Sequence, residues 1–128
     1  IEESFGNGKG SVYENLLAIA QIVKKESFTL ITLLENKLKE LYNNILEDNN
    51  LEKEHLVVYI SDDVNISNED FLLFLSIAEQ KKEIGTSFVI VYKNINVDNF
   101  PETFNIVPTL QEAIDVLEME KIERELGF

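Results

Sequence analysis

Cysteine and tryptophan are absent from the 128 residues, and histidine and methionine occur once each. Without cysteine there is no disulfide framework and no thiolate metal site, and a reducing compartment is the natural one. A lone histidine cannot supply the clustered imidazoles of a metal hydrolase. No run of about 18 apolar residues occurs, so no membrane-spanning segment is expected. The start of the chain shows no secretory pattern, and the expected location is cytoplasmic. Cations are scarce as well: 11 Lys and Arg stand against 24 Asp and Glu, a formal charge of −13. Such a surface repels a phosphate backbone, so nucleic acid is not an expected partner. The acidity serves either solubility alone or a basic patch on a partner protein.

The chain nevertheless has the apolar content of a globular protein, 45%, and the length of one domain. Residues 1–15, with Gly6, Gly8 and Gly10, read as a loose N-terminal segment, and 16–128 as the domain. Gly8-Lys9-Gly10-Ser11 glances at a phosphate loop, but it lacks the earlier glycine and the preceding apolar strand that the motif needs. Leu16 to Val23 reads as a strand, with Val12 and Tyr13 as an earlier one paired to it. Ser27 to Leu34 has strand-like β-branched content. However, Leu30, Leu34, Leu38, Leu41 and Ile45 share a helical face opposite Thr32, Asn36, Lys39, Asn43 and Glu47, which predicts a helix over 29–47.

Leu56–Ile60 and Phe88–Tyr92 are continuous apolar runs, as expected of strands buried on both faces. Between them Ser67 caps a helix over 68–84, with Glu69 and Asp70 in its first turn and Gly85 ending it. After a polar loop, Ile106 and Val107 form a short strand. Thr109 and Glu112 form a capping box, and Leu110, Ala113, Ile114, Leu117 and Leu126 make the apolar stripe of a closing helix. Gly127 closes that helix in the left-handed conformation, with Phe128 placed for a closing contact. Strands alternating with helices imply an α/β domain: a mixed central sheet of about four to five strands, with a closing C-terminal helix.

Groups suited to catalysis are few. His55, before a core strand and without evident partners, reads as a surface residue. No Gly-x-Ser-x-Gly elbow occurs. Asp62 and Asp63 stand at the end of a core strand, where α/β folds place functional groups, and would suit a cation or a phosphoryl group. Further oxygen ligands are not evident, so a solvated turn is the better reading. The first strand ends in Lys24-Lys25 where a response-regulator receiver has acids. On the last helix Glu112, Asp115, Glu118, Glu120, Glu123 and Glu125 outnumber Lys121 and Arg124. That face is either simply solvated or, through Met119 and Ile122 set among the acids, a second docking surface.

With the elements placed, the segment Leu56 to Val91 (strand, loop, capped helix, strand) resembles the STAS-like domains of bacterial anti-sigma factor antagonists. In those proteins a Ser at the start of this helix, after an Asp, is phosphorylated by a kinase that is also the anti-sigma factor. Here the place reads Ile66-Ser67-Asn68-Glu69-Asp70, so Ser67 falls on the usual Asp and Asn68 on the usual Ser. Ser67 then acts most simply as the helix cap. The resemblance implies a switch surface of Asp62, Asp63, Ser67, Asn68, Glu69 and Asp70, and a kinase-like or anti-sigma protein partner.

Further segments, Leu72-Leu-Phe-Leu75, Ser87-Phe-Val-Ile-Val91, Val107-Pro-Thr-Leu-Gln-Glu-Ala113 and Glu118 to Phe128, resemble small bacterial proteins commonly labelled ribonuclease Z. That enzyme needs a His-rich metal motif which this chain lacks, so the resemblance implies at most an accessory partner of the nuclease. The expected function is a non-catalytic protein-interaction module with no cofactor and no metal. The alternatives are the accessory role and a small-ligand or nucleotide sensor using the loops at the strand ends.

Overall fold

The computed structural model describes residues 20–34, 37–47, 51, 53–94, 100 and 104–127. Its frame is a five-stranded mixed sheet whose strands lie side by side in chain order. Strand β1 (Ala20–Lys24) pairs antiparallel with β2 (Thr29–Leu33), from Ala20 opposite Leu33 to Lys24 opposite Thr29. Strands β3 (Leu56–Ile60), β4 (Phe88–Val91) and β5 (Ile106–Val107) then add in parallel. Between β2 and β3 lies helix α1 (Leu38–Glu47); between β3 and β4 lie α2 (Asn68–Leu72) and α3 (Leu75–Glu83); α4 (Leu110–Glu125) follows β5.

The helix expected over 29–47 is corrected: its first part is β2. Thr29, Ile31 and Leu33 are buried while Leu30 and Thr32 are half-buried, the period of two that a sheet imposes. Leu38, Leu41 and Ile45 do form the buried face of α1. Leu30 and Leu34 stand at four-residue spacing ahead of them and only happen to continue that phase; Leu34 is 51% exposed. The strand expected over 16–23 runs from Ala20 to Lys24 among the described residues. Residues 1–15, with the paired strand expected at Val12 and Tyr13, lie outside them.

The helix expected over 68–84 is also corrected, because it is divided at Leu73 and Phe74. Both keep right-handed helical dihedrals, but Leu73 N–H bonds to Asp70 O and Phe74 N–H to Phe71 O, the tighter i→i+3 pattern. That pattern eclipses Phe71 and Phe74, and both are fully buried. Ser76 Oγ donates to the Leu73 carbonyl at 3.3 Å. Helix α3 ends as expected: Gly85 takes φ +81°, and Thr86 N–H reaches Lys81 O while Gly85 N–H reaches Lys82 O, a Schellman closure.

Each parallel strand is added on the same side of the last, so right-handed crossovers set all the connecting helices on one face. That face holds Ile31, Leu33, Val58, Ile60, Phe88 and Ile90 against α1, α2 and α3. An aromatic chain continues it. Phe74 stacks on Phe88 with centroids 5.8 Å apart, and Phe71 meets Tyr92 at 5.4 Å and Phe100 at 5.9 Å. Lys81 is only 2% exposed in this layer; its Nζ donates to Leu51 O at 2.7 Å and Glu54 O at 2.6 Å, tying α3 to the approach to β3.

Among the described residues, the opposite face is covered by α4. Ala113 and Leu117 pack on Val57, Val89 and Val91, and Phe28, Leu30 and Tyr59 are half-buried around them. Thr109 caps α4 by accepting from Glu112 N–H at 3.2 Å. The return half of the capping box takes another form: Glu112 Oε2 accepts from the Thr109 hydroxyl at 3.0 Å. Gly127 is left-handed at φ +86°. Leu126, expected in the buried stripe, is 67% exposed, a correction. It lies nine residues, or about two and a half turns, beyond Leu117, which puts it on the far side of the helix.

Candidate functional site

The loop Ser61–Ser67 leaves the C-terminal end of β3 and is fastened at both ends. Ser61 N–H bonds to Leu33 O at 3.2 Å and Val64 N–H to Ser61 O at 3.0 Å. Tyr92 Oη, buried, donates to Val64 O at 2.6 Å. Val64 itself is buried, so the loop is anchored from beneath while Asp62 and Asp63 at its crest are exposed. Asp62 Oδ2 lies 3.9 Å from Lys93 Nζ, a contact that solvent screens.

Ser67 takes an extended conformation, φ −80° and ψ 157°, and its side chain accepts from Asp70 N–H at 3.2 Å. This is the cap expected from sequence. Asn68 is the first residue of α2, Glu69 is exposed and Asp70 half-buried. Asp62, Asp63, Ser67, Glu69 and Asp70 therefore belong to one loop-and-cap unit at the sheet's C-terminal end. Helix α2 is five residues long, so few aligned peptides stand behind its N-terminus. Beside this unit lies a shallow groove of about 810 Å³ next to the start of α4, lined by Leu30, Tyr59, Asp62, Lys93 and Leu110 among others.

At the opposite end of the strands the structure reveals a polar cluster that local sequence patterns do not mark. Ser87 Oγ donates to Glu120 Oε1 at 2.5 Å and accepts from Arg124 at 3.2 Å. Asn105 Nδ2 donates to Glu120 Oε2 at 3.0 Å. His55, expected as a plain surface residue, is half-buried, and its Nδ1 accepts from the Ser87 backbone N–H at 2.9 Å. Burial pushes the imidazole pKa below its ordinary value, with the Arg124 and Lys81 charges acting the same way and Glu120 opposing them. A groove of about 650 Å³ lies alongside, lined by His55, Leu117, Lys121 and Arg124 with acids.

Ser, His and Glu thus meet, but not in the order of a nucleophilic triad. The imidazole accepts from the serine backbone rather than its hydroxyl, and the hydroxyl donates straight to the carboxylate. This arrangement fastens α4 and the approach to β5 to the starts of β3 and β4. A third polar group, Glu54, accepts from the Thr29 hydroxyl and from Lys24 Nζ, the latter at 2.9 Å. Burial pushes the Glu54 carboxyl up, but the bonds to Thr29 and Lys24 and the nearby Lys81 charge outweigh it, so its pKa lies below the ordinary carboxylate value.

Among the described residues no group of three or more His, Asp or Glu is placed to hold a metal ion, and no helix is long and apolar enough to cross a membrane. No protein-family model matches this chain, and no curated protein matches it either. What the geometry defines is an α/β domain on a five-stranded mixed sheet.

Proposed function

We propose that this domain is a non-catalytic protein-interaction module, STAS-like in organisation, that docks a partner on the Ser61–Asp70 unit. The observation that carries the reading is the fastening of that loop beneath an exposed acidic crest: Tyr92 holds Val64 while Asp62 and Asp63 face water. A loop anchored from below keeps its shape before contact, which lowers the entropic cost of binding. The acids give the surface a sign, and a partner surface bearing Lys or Arg complements it. The groove beside the loop, with Leu30, Tyr59 and Leu110, offers an apolar neighbour for a partner side chain. Ser67 serves this surface as the residue that fixes the start of α2.

The test places a photo-crosslinking amino acid at Asp63, at Glu69 and, as a control on α3, at Gln80, in native extract. The expected result is one shared crosslinked protein from the first two positions and none from the third. Asp62→Lys with Asp63→Lys should remove it. Capture that survives this charge reversal, or that occurs equally from Gln80, would sink the reading.

A further inference from the structure

Helix α4 carries apolar side chains on two opposite sides. Ala113 and Leu117 are buried against the sheet. Met119, Ile122 and Leu126 are 55%, 55% and 67% exposed. At about 100° per residue, the spacing of three and seven puts these last three in one stripe, roughly half a turn of the helix away from Leu117. A helix needing only the sheet would carry polar residues there.

Among the described residues, the charges around the stripe have one sign. Glu112, Asp115 and Glu123 share the outward face and are exposed; Glu118 and Glu125, also exposed, lie on its flank. Both cations of α4 lie elsewhere: Arg124 bonds to Ser87 beneath the helix, and Lys121 lines the groove beside His55. An apolar stripe rimmed only by acids does not complement itself. Packing two copies stripe to stripe would bring like charges together, in chains that each carry a formal −13.

We propose that the outward face of α4 is a docking site for a cationic amphipathic helix of another protein. That helix would set apolar side chains on Met119, Ile122 and Leu126 and Lys or Arg opposite Asp115 and Glu123, the helix-on-helix form of recognition. The site lies on a different element from the Ser61–Asp70 unit and stands independently of it.

The probe is a synthetic helix with leucines on one face and lysines on the other, compared with a version carrying glutamate for lysine. Binding is read at about physiological ionic strength, where exposed charges are screened beyond roughly 8 Å. The lysine peptide should bind, the glutamate peptide should not, and amide shifts should concentrate on 115–126. The triple variant M119S, I122S, L126S should weaken binding about tenfold or more, whereas M119L with I122L should retain it. All these side chains are exposed, so the fold should survive, as circular dichroism would verify. Equal binding by wild type and the triple variant would reduce the effect to bulk charge and overturn the proposal, as would no binding at all. Sedimentation of the wild type as a dimer that the triple variant abolishes would assign the face to a second copy and overturn it too.

Discussion

At the start of the parallel strands His55, Ser87, Asn105, Glu120 and Arg124 are bonded to one another, within reach of the sheet. At the far end Asp62 and Asp63 stand in water on a loop held from below, with Glu69 exposed in the first turn of α2. Both ends are polar, yet their side chains do different work. A sheltered polar group is costly unless its partners are present, so the bonds of the first cluster help to hold the fold. An exposed carboxylate folds at little cost and stays available to a partner. On the proposed reading, what separates a docking surface from a structural cluster here is whether the groups are already satisfied, not their polar content.

The sharpest way to break this comparison is to remove a sheltered partner. Lys81→Met withdraws the donor from the carbonyls of Leu51 and Glu54. Charge-assisted bonds of this kind are worth about 1.5–3 kcal/mol each, partly offset by no longer burying an ammonium. A loss of about 2–4 kcal/mol in denaturant unfolding is expected. Glu120→Ala, which strands the Ser87 hydroxyl and the Asn105 amide, should cost about 1–3 kcal/mol by the same measurement. If both variants unfold like wild type, these sheltered bonds do not hold the fold.

The next effect in size is set by pH. The His55 pKa lies below its ordinary 6.5, so above 6.5 neither folded nor unfolded chain carries the proton, and the contribution is complete. As pH falls from 6.5 towards the folded value, the unfolded chain takes up the proton first, and stability declines. Protonation at Nδ1 would also set an N–H against the Ser87 N–H. The charged groups around the ring are Arg124 and Glu120 from α4, Lys81 from α3, and Glu26, Glu118, Lys121 and Glu125 around the groove. His55→Asn presents an acceptor oxygen in place of Nδ1 and does not titrate. Unfolding free energy followed against pH should therefore lose its slope just below 6.5 in that variant. The decline from Glu54, whose stabilisation is lost as pH falls through a folded pKa below 4.5, should remain. An unchanged slope in His55→Asn would remove the imidazole from the account.

The sequence was most legible where a residue's partner lies within one helical turn. Thr109 capping Glu112 N–H, Ser67 capping Asp70 N–H, and the left-handed glycines at 85 and 127 all act within a few positions, as their local chemistry implies. Only the return bond of Glu112, which accepts from the Thr109 hydroxyl, departs from the expected box. Both central strands were legible because burial on two faces leaves a continuous apolar run. Local reading failed where a distant partner decides. Thr29–Leu33 is a strand because β1 and β3 flank it, while its leucines also fit the phase of the following helix. The bonds joining His55, Ser87 and Glu120 span 32 and 33 residues, so no window of sequence contains them. Of the candidate surface, the cap was legible from Ser67. The anchoring of the loop was not, because it depends on Tyr92, 28 residues from Val64.

The smallest stability effects belong to the open end, and they sharpen the comparison most. Ser67→Ala should cost about 1 kcal/mol, and Ser67→Asp little, because an aspartate caps as well as serine. Asp62→Asn should change stability by less than about 0.5 kcal/mol, since its contact with Lys93 is long and exposed. The same change removes part of the acidic crest, so a partner that reads this surface should associate more slowly and with a weaker dependence on salt. The two readings separate cleanly in paired measurements of thermal unfolding and association rate. A residue of the sheltered cluster moves the first; an acid of the crest moves only the second. If Asp62→Asn lowered the melting temperature as much as Glu120→Ala while leaving association untouched, the two ends would not differ in kind, and the crest would be one more structural contact.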